Sequence, residues 1–249
     1  MQTPPAIPPK PVSQVWHPEL TRLPRLHFRR RIFRLAVRLI ARLLVRVLTR
    51  TGFHGLENLP SAGPALLVLN HLGDADTPVI LAALPRAPEA LGKLELVYEF
   101  PVLGRLMDWY GTIWVHRGRP DRRALECAIQ AVRQGRFLVI APEGRYTLTH
   151  GLERGNSGAA YVALRAGLPV IPLALTGTEN PKVYSSLRRL RRPCISFTVG
   201  PPIHLSQEAG LTPPALKAAT DQIMHALARL LPPEYRGVYA AVRSDQPRP

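Results

Sequence analysis

The sequence predicts an α/β protein: a single domain with a mixed, largely parallel central sheet flanked by helices, preceded by a basic amphipathic helix. Short apolar runs of strand length alternate with amphipathic segments of helical length along most of the chain. The 249 residues are 46% hydrophobic and 20% charged, which is enough apolar content for one core. Two cysteines cannot form a disulfide framework.

The N-terminal segments are predicted to lie outside the α/β domain. Residues 1–18 are rich in proline and are expected to be a disordered tail. Residues 19–50 are predicted to form the basic helix, because arginine recurs at every fourth position. The stripe consists of Arg30, Arg34, Arg38, Arg42, Arg46 and Arg50. At about 100° per residue these arginines share one side, and aliphatic residues cover the wide remainder.

Such a helix suits the headgroup region of a bilayer, with its arginines reaching anionic lipid. An ordinary helix packed on the core with solvated arginines is the alternative. A nucleic-acid-binding arm is disfavoured, because phosphate contacts need no wide apolar face. The second basic cluster, Lys182–Arg192, is either a solvated loop or a second lipid-contacting patch. No apolar stretch is long enough to span a membrane, and the first twenty residues contain no apolar segment of the secretory kind, so a cytoplasmic, membrane-surface location is expected.

The α/β domain is predicted over residues 51–235, with a flexible tail at 236–249. A short glycine-containing link comes first, followed by alternating elements. Continuous apolar runs predict strands, and helices are predicted where Asp, Thr or Pro can begin a turn and Gly can end one. In chain order, the predictions are a strand at 65–69, helices at 76–84 and 101–110, a strand at 112–115, a helix at 121–134, a strand at 137–140, a helix at 157–165, strands at 170–175 and 195–199, and a helix from 212 to 230.

Polar residues follow three of these strands and supply candidate site residues, since open α/β sheets bind ligands outside the carboxyl ends of their strands. The candidates are Asn70 and His71 after the first strand, Arg117 after the second, and Glu143, Gly144 and Arg145 after the third. His71 can act as a general base if Asp76, at the start of the next helix, reaches its other ring nitrogen. A metal site at His71, Asp74 and Asp76 is weaker, since three ligands so close in sequence fix no geometry.

Four blocks in this order resemble the glycerolipid acyltransferase family, which contains the 1-acylglycerol-3-phosphate acyltransferases. The segment 70–76 is similar to its His-x4-Asp block. Segments 110–118, 141–145 and 170–173 resemble the next three blocks, and the agreement extends over residues 55 to 176. Gly73 replaces a common serine, His116 a common aspartate, and Arg145 follows Gly144 directly, which leaves the acceptor open.

The resemblance implies acyl transfer from an acyl-CoA or acyl carrier protein thioester to a lysophospholipid or glycerol phosphate, with lysophosphatidate favoured and neither a cofactor nor a metal. It implies His71 as the base and Asp76 as its partner. Arg117 and Arg145 would bind the acceptor phosphate, and Asn70, Glu143 and Gly144 would complete the substrate site. The expected partner is an anionic membrane surface at the cytoplasmic face, not nucleic acid. Another lysolipid or glycolipid acceptor, or a metal-dependent hydrolase or phosphatase, remains the alternative.

Overall fold

Strands β1 to β7 form one mixed sheet in the computed structural model, which describes residues 8–118, 120–149, 151–207 and 210–241. They are β1 (Arg50–His54), β2 (Ala65–Leu69), β3 (Glu89–Lys93), β4 (Ile113–Val115), β5 (Phe137–Ile140), β6 (Val170–Thr176) and β7 (Cys194–Val199). Their order across the sheet is β1-β7-β6-β2-β5-β3-β4. Only β6 and β7 pair antiparallel in this described sheet. The predicted fold class is confirmed.

Helices cover both faces of the sheet. They are α1 (Phe28–Leu48), α2 (Asp76–Ala83), α3 (Leu96–Glu99), α4 (Pro101–Tyr110), α5 (Arg122–Arg133), α6 (Gly158–Ala166), α7 (Asn180–Arg188) and α8 (Pro213–Leu230). One core cluster joins α5, α6 and α8 to one face of the sheet, and the other joins α1 and α2 to the opposite face. As predicted, Asp121 caps α5 and Thr212 caps α8, each through its side chain.

Two strands and two helices lie where the sequence predicted none. The predicted link contains β1, an edge strand parallel to β7. It ends at Gly55, whose φ is +67° and where a Cβ would meet the Val199 carbonyl oxygen at 2.1 Å, so only glycine fits this turn. The strand β3 and the short helix α3 follow α2. The helix α7 takes up the first part of the basic cluster Lys182–Arg192.

Three members of the arginine stripe, Arg34, Arg38 and Arg42, donate hydrogen bonds to the α/β domain. Arg34 is 3% exposed and donates to Glu89 Oε1 at 2.7 Å. Arg38 and Arg42 donate to backbone carbonyls near the C-terminal end of α2. The expectation that this stripe reaches lipid headgroups is therefore wrong for these three arginines. Glu89 and the two backbone carbonyls before it bind Arg34, and the carbonyl groups at the end of α2 attract Arg38 and Arg42 inward.

The aliphatic side of α1 faces outward instead. Its exposed apolar residues, between 40% and 76% accessible, are Phe28, Ile32, Leu35, Leu39, Ile40, Leu43, Leu44, Val47 and Leu48. Helix α4 lies beside α1 through the ring contact of Phe33 with Trp109 and adds exposed Val102, Leu103 and Leu106. We call this surface the α1–α4 apolar face. Among the described helices, none has the length and hydropathy needed to cross a membrane.

The two predicted tails are described in part. Residues 8–17 have no helix or strand, yet they contact the domain through hydrogen bonds detailed below. At the other end, Arg236 is 4% exposed, and the Val238 N–H donates to the Leu152 carbonyl at 3.1 Å. The remainder of the predicted tails, residues 1–7 and 242–249, lies outside the described residues.

Candidate active site

His71 and Asp76 form a hydrogen-bonded pair at the carboxyl end of β2. His71 stands in the loop after the strand, and Asp76 begins α2, so the two side chains meet although five residues separate them. His71 Nδ1 lies 2.6 Å from Asp76 Oδ2, which also accepts the backbone N–H groups of Leu72 and Gly73 at 2.8 and 3.2 Å. The aspartate is fully buried, whereas the His71 side chain is 25% exposed.

The other ring nitrogen of His71, Nε2, has no hydrogen-bond partner among the described residues. An aspartate that accepts from Nδ1 fixes the proton there and leaves Nε2 with a free lone pair. Because the ring is partly exposed, a substrate hydroxyl can approach this nitrogen. The pair thus has the geometry of a general base with an orienting carboxylate.

Glu143 braces the His71 loop from the interior. It is 0% exposed, its Oε1 accepts the His71 backbone N–H at 3.2 Å, and its Oε2 accepts the Glu153 N–H at 2.8 Å. Burial raises the pKa of Glu143 from 4.5 to about 7. The resemblance implied that Glu143 contacts substrate. The structure instead buries its carboxylate behind His71, where it acts as a positioning residue.

Arg145 follows Glu143 but is already engaged. Its Nε and Nη2 lie 2.9 and 2.8 Å from Glu153 Oε2. Its Nη1 and Nη2 also donate to the carbonyls of Pro9 and Pro8 at 3.2 and 3.0 Å. The N-terminal segment therefore covers the guanidinium, and the side chain is only 9% exposed. At each terminal nitrogen, a carbonyl oxygen therefore occupies one position where a phosphate oxygen could bind.

Arg117 lies apart from this group. Strand β4, which precedes it, is the third strand from β2 in the sheet, and three strand spacings amount to about 14 Å. Its backbone pairs with Ser13, whose Oγ accepts the Arg117 N–H at 2.8 Å. Its Nε lies 3.9 Å from Glu95. The structure thus brings Arg145, but not Arg117, close to the loop of His71.

Asn70 and Gly144 have local structural partners. The Asn70 side chain is 2% exposed and exchanges hydrogen bonds with both backbone groups of Leu175 at 2.9 and 2.8 Å, which joins β2 to β6. The Gly144 N–H donates to the Ala141 carbonyl at 3.1 Å in a turn with a φ of +73°. Direct substrate contacts by the Asn70 side chain or the Gly144 amide do not fit these bonds.

Tyr146 is a site residue that the sequence reasoning missed. Its ring packs edge-on against the His71 ring, with centroids 4.3 Å apart. Its hydroxyl donates to Asp74 Oδ1 at 2.7 Å, while Asn180 and Tyr184 of α7 donate to Asp74 Oδ2 at 3.0 and 2.6 Å. Burial, and then the Asp74 carboxylate, raise the pKa of Tyr146, which keeps the phenol protonated. The position of Tyr146 next to Arg145 could have indicated its place in the site. No sequence pattern indicated that Asn180 and Tyr184 of α7 would lie there.

A second histidine–aspartate pair lies at the end of β4. His116 Nδ1 is 2.7 Å from Asp121 Oδ2, but its Nε2 accepts the His17 backbone N–H at 3.0 Å. The Trp16 ring packs against the imidazole at a tilt of 42° and a centroid distance of 4.5 Å, and the His116 side chain is 1% exposed. His116 is therefore closed to any substrate.

No group of three or more His, Cys, Asp or Glu side chains that could hold a metal ion occurs in the part of the chain that the structure describes. The alternative metal site at His71, Asp74 and Asp76 therefore has no support from the arrangement of these residues. Asp74 is bound by two phenols and an amide, and Asp76 by the imidazole and two backbone amides.

Comparison with known proteins finds matches of this chain in one family. The profile of the family described as Acyltransferase matches residues 50–176. A chloroplastic 1-acyl-sn-glycerol-3-phosphate acyltransferase of Brassica napus is 29% identical over 61% of this chain and 44% of its own length. A lyso-ornithine lipid O-acyltransferase of Pseudomonas aeruginosa is 33% identical over 45% of this chain and 43% of its own. The chain spans about half the length of the curated relatives it matches.

The fold also has a counterpart among solved structures. The crystal structure of the 1-acyl-sn-glycerophosphate acyltransferase from Thermotoga maritima superposes with a TM-score of 0.59 at 18% identity. The match covers 78% of this chain and 77% of the other. At this identity the likeness concerns the fold.

Proposed function

This chain belongs to the acyltransferase family, and from this premise we propose that it transfers a fatty acyl group from an acyl-CoA or acyl carrier protein thioester to the hydroxyl of a lysophospholipid. Lysophosphatidate is the favoured acceptor, because several relatives are named for that activity. The observation that carries the proposal is the open His71–Asp76 pair, with Nδ1 at 2.6 Å from the carboxylate and Nε2 unpaired by the described residues.

In the proposed reaction, His71 Nε2 accepts the proton of the acceptor hydroxyl as its oxygen attacks the thioester carbonyl carbon. Asp76 stabilises the imidazolium that forms. The tetrahedral intermediate collapses, the carbon–sulfur bond breaks, and the leaving thiolate takes the proton from Nε2. The alcohol attacks directly, so no acyl-enzyme is formed. A positioned base contributes about 10²- to 10⁴-fold, and substrate positioning and oxyanion stabilisation must supply the rest.

Arg145 is the proposed contact for the acceptor phosphate, because a guanidinium binds two phosphate oxygens at once. Glu153 holds the group in place through its bonds to Nε and Nη2. Phosphate would have to replace the carbonyls of Pro8 and Pro9, so binding would displace this part of the N-terminal segment. Arg117 would contact only a part of a substrate far from the reacting atoms.

We further propose that the α1–α4 apolar face lies on a membrane, at its cytoplasmic side, where the lipid acceptor resides. The orientation differs from the sequence expectation, since the aliphatic side would enter the acyl boundary. Exposed arginines flank this face at both ends of α1, with Arg25, Arg29 and Arg31 at one end and Arg46 and Arg50 at the other. Cations at the rim of an apolar surface favour anionic headgroups.

Purified protein, a labelled acyl donor and a panel of acceptors test this function. With acyl-CoA and acyl carrier protein donors in separate arms, we expect labelled phosphatidate from lysophosphatidate, and none from the His71→Ala variant. Product from another lysolipid alone would show that the acceptor is not lysophosphatidate, and the proposed reaction type would stand. Free fatty acid from every mixture, without any acylated acceptor, would contradict the proposal and favour a hydrolase.

A further inference from the structure

The last residue of α7 and the turn after it, Arg188–Arg192, include a leucine in the left-handed conformation, which among the described residues is otherwise taken by glycine. We call these five residues the basic tip. The Arg191 N–H donates to the Ser186 carbonyl at 2.9 Å and the Leu190 N–H to the Leu187 carbonyl at 2.9 Å, which is a Schellman ending. Leu190 therefore has a φ of +52°, the only positive value at a non-glycine residue among the described residues.

Leu190 is also 96% exposed. The left-handed conformation disfavours any residue with a Cβ atom, and exposure to water disfavours an aliphatic side chain. The stability of the fold therefore explains neither the non-glycine residue nor its apolar side chain. Glycine or asparagine would satisfy the turn at lower cost. An exposed leucine that the turn does not require points to an apolar environment outside the protein.

The charges around Leu190 indicate what this environment is. The side chains of Arg188, Arg189 and Arg191 are exposed, and no hydrogen bond from them is found within the described part of the chain. The sequence has no Asp or Glu between Glu179 and Glu208, so no acid of this segment balances them. Three free guanidinium groups around an aliphatic side chain match the boundary between anionic headgroups and acyl chains.

The basic tip is attached to both the proposed membrane face and the active site. Arg192, its last residue, donates to the Thr49 and Arg46 carbonyls at the C-terminal end of α1. Asn180 at the start of α7 and Tyr184 in its middle donate to Asp74, three residues from His71. A nine-residue helix is about 13 Å long, so α7 connects the tip to the site over a short distance.

We infer that the basic tip is a second membrane contact, separate from the α1–α4 apolar face, in which Leu190 enters the acyl boundary and Arg188, Arg189 and Arg191 bind lipid phosphates. This holds the active site within about one short helix of the lipid surface. Nucleic acid is the other polyanion that would attract these arginines, but an exposed leucine contributes nothing to phosphate contacts. The inference rests on the proposed function only in that the acceptor is a lipid.

Fluorescence of a labelled tip tests insertion directly. In the full-length chain with Cys127→Ser and Cys194→Ser, Leu190→Cys carries an environment-sensitive nitrobenzoxadiazole label. The matched control carries it at Gln130→Cys, an exposed position of α5 across the sheet from α1. With phosphatidylglycerol vesicles, we expect a blue shift and several-fold brighter emission at position 190, and no change at 130. Equal emission at both positions while the protein is bound to vesicles would overturn the inference.

Substitutions test the two chemical components separately. Leu190→Asn suits the left-handed turn, so its Tm is expected to stay unchanged or rise while vesicle affinity falls about tenfold. Arg188→Glu with Arg191→Glu is expected to reduce affinity for phosphatidylglycerol vesicles by more than about twentyfold, with little change for phosphatidylcholine. Wild-type affinity in both variants would refute the tip as a lipid contact.

Two further measurements separate the remaining outcomes. DNA binding as tight as vesicle binding, and lost only in the charge-reversal variant, would assign the tip to nucleic acid. Acyl transfer by the unaltered protein in detergent micelles tests the proposed function separately, because vesicle binding and label emission are read without turnover. A protein that is inactive in micelles but still inserts Leu190 into vesicles would refute the proposed function, and the basic tip would remain a membrane contact.

Discussion

His71 and Asp76 have the same five-residue separation as His116 and Asp121, and each pair follows a strand. The Nδ1–Oδ2 distances are nearly the same, 2.6 and 2.7 Å. The pairs differ at the other ring nitrogen, because the His17 N–H binds His116 Nε2, whereas none of the described residues binds His71 Nε2. A shared spacing thus forms both pairs, and the N-terminal segment decides which imidazole can meet a substrate.

The two aspartates also stabilise local structure in similar ways. Asp76 accepts the N–H groups of Leu72 and Gly73, and Asp121 accepts those of His116 and Ala124, where it caps α5. A carboxylate at a helix start that closes the preceding loop brings a histidine five residues earlier within reach. This local device explains why His-x4-Asp spacing alone does not identify a base.

The largest expected effect comes from removing one histidine at a time. His71→Ala should lower kcat by about 10²- to 10⁴-fold, the usual contribution of a general base, with little change in stability. His116→Ala should keep kcat within a few-fold and lower the free energy of unfolding by about 2 kcal/mol, because it empties a buried, hydrogen-bonded site. Steady-state kinetics and urea unfolding of both variants measure this contrast. Comparable losses of kcat would erase the distinction between the pairs.

Substitution of the two aspartates should show the same contrast, loss of kcat at Asp76 and loss of stability at Asp121, with smaller effects. Asp76→Asn presents an amide donor that favours the wrong imidazole tautomer, so we expect kcat to fall by about 10²-fold or more. Asp121→Asn keeps a capping side chain for α5 and should cost about 1 kcal/mol of stability without loss of kcat. Kinetic assays and thermal unfolding decide the matter. A full-activity Asp76→Asn variant would contradict the role of this carboxylate.

Glu143 supports the loop of His71 and not that of His116, and its titration should make the free energy of unfolding depend on pH. Burial raises the pKa of Glu143 from 4.5 to about 7, so the folded state binds this proton more tightly than the unfolded state. The corresponding stability, about 3 kcal/mol, is present below pH 4.5 and is lost as the pH rises to about 7. We expect the unfolding free energy of wild type, relative to Glu143→Gln, to decline between pH 4.5 and 7. A pH-independent difference would show that Glu143 does not titrate there.

Local signals explain which features the sequence could predict. Short apolar runs and capping residues indicated β2, β5 and β6 and the starts of α5 and α8, because each depends on neighbouring residues. The strand β3 was missed because its Glu89 is buried by Arg34, which lies 55 residues earlier in the chain. The unexpected orientation of α1, with arginines toward the domain, has the same origin. Periodicity shows which residues share a side of the helix, whereas the elements packed against it decide which side faces inward.

The same limit applies to the site. The His71–Asp76 contact is local and could be predicted from a strand followed by a helix start. The engagement of Arg145 could not, because its partners Pro8 and Pro9 are 137 and 136 residues away and no pattern links them. Tyr184, which binds Asp74 beside the site, is likewise 110 residues away from that aspartate.

The smallest expected effect concerns the N-terminal segment, which contacts both regions with separate residues. Deleting residues 1–10 removes the two proline carbonyls from Arg145 but leaves Trp16 and His17 on His116. If Arg145 binds the acceptor phosphate, we expect the acceptor KM to fall about three- to tenfold with kcat unchanged, since two hydrogen bonds no longer compete.

Lys10→Ala is the matched control, because it keeps both carbonyls and removes the contacts of the lysine with Arg154 and Asn156, together with its charge near Glu143, Arg145 and Glu153. Its KM should equal that of wild type. An unchanged KM in the deletion variant would mean that the segment does not compete with the acceptor and that Arg145 only holds Glu153. Extending the deletion through His17 should lower Tm further without adding activity, since an uncovered His116 still lies about 14 Å from the site of His71.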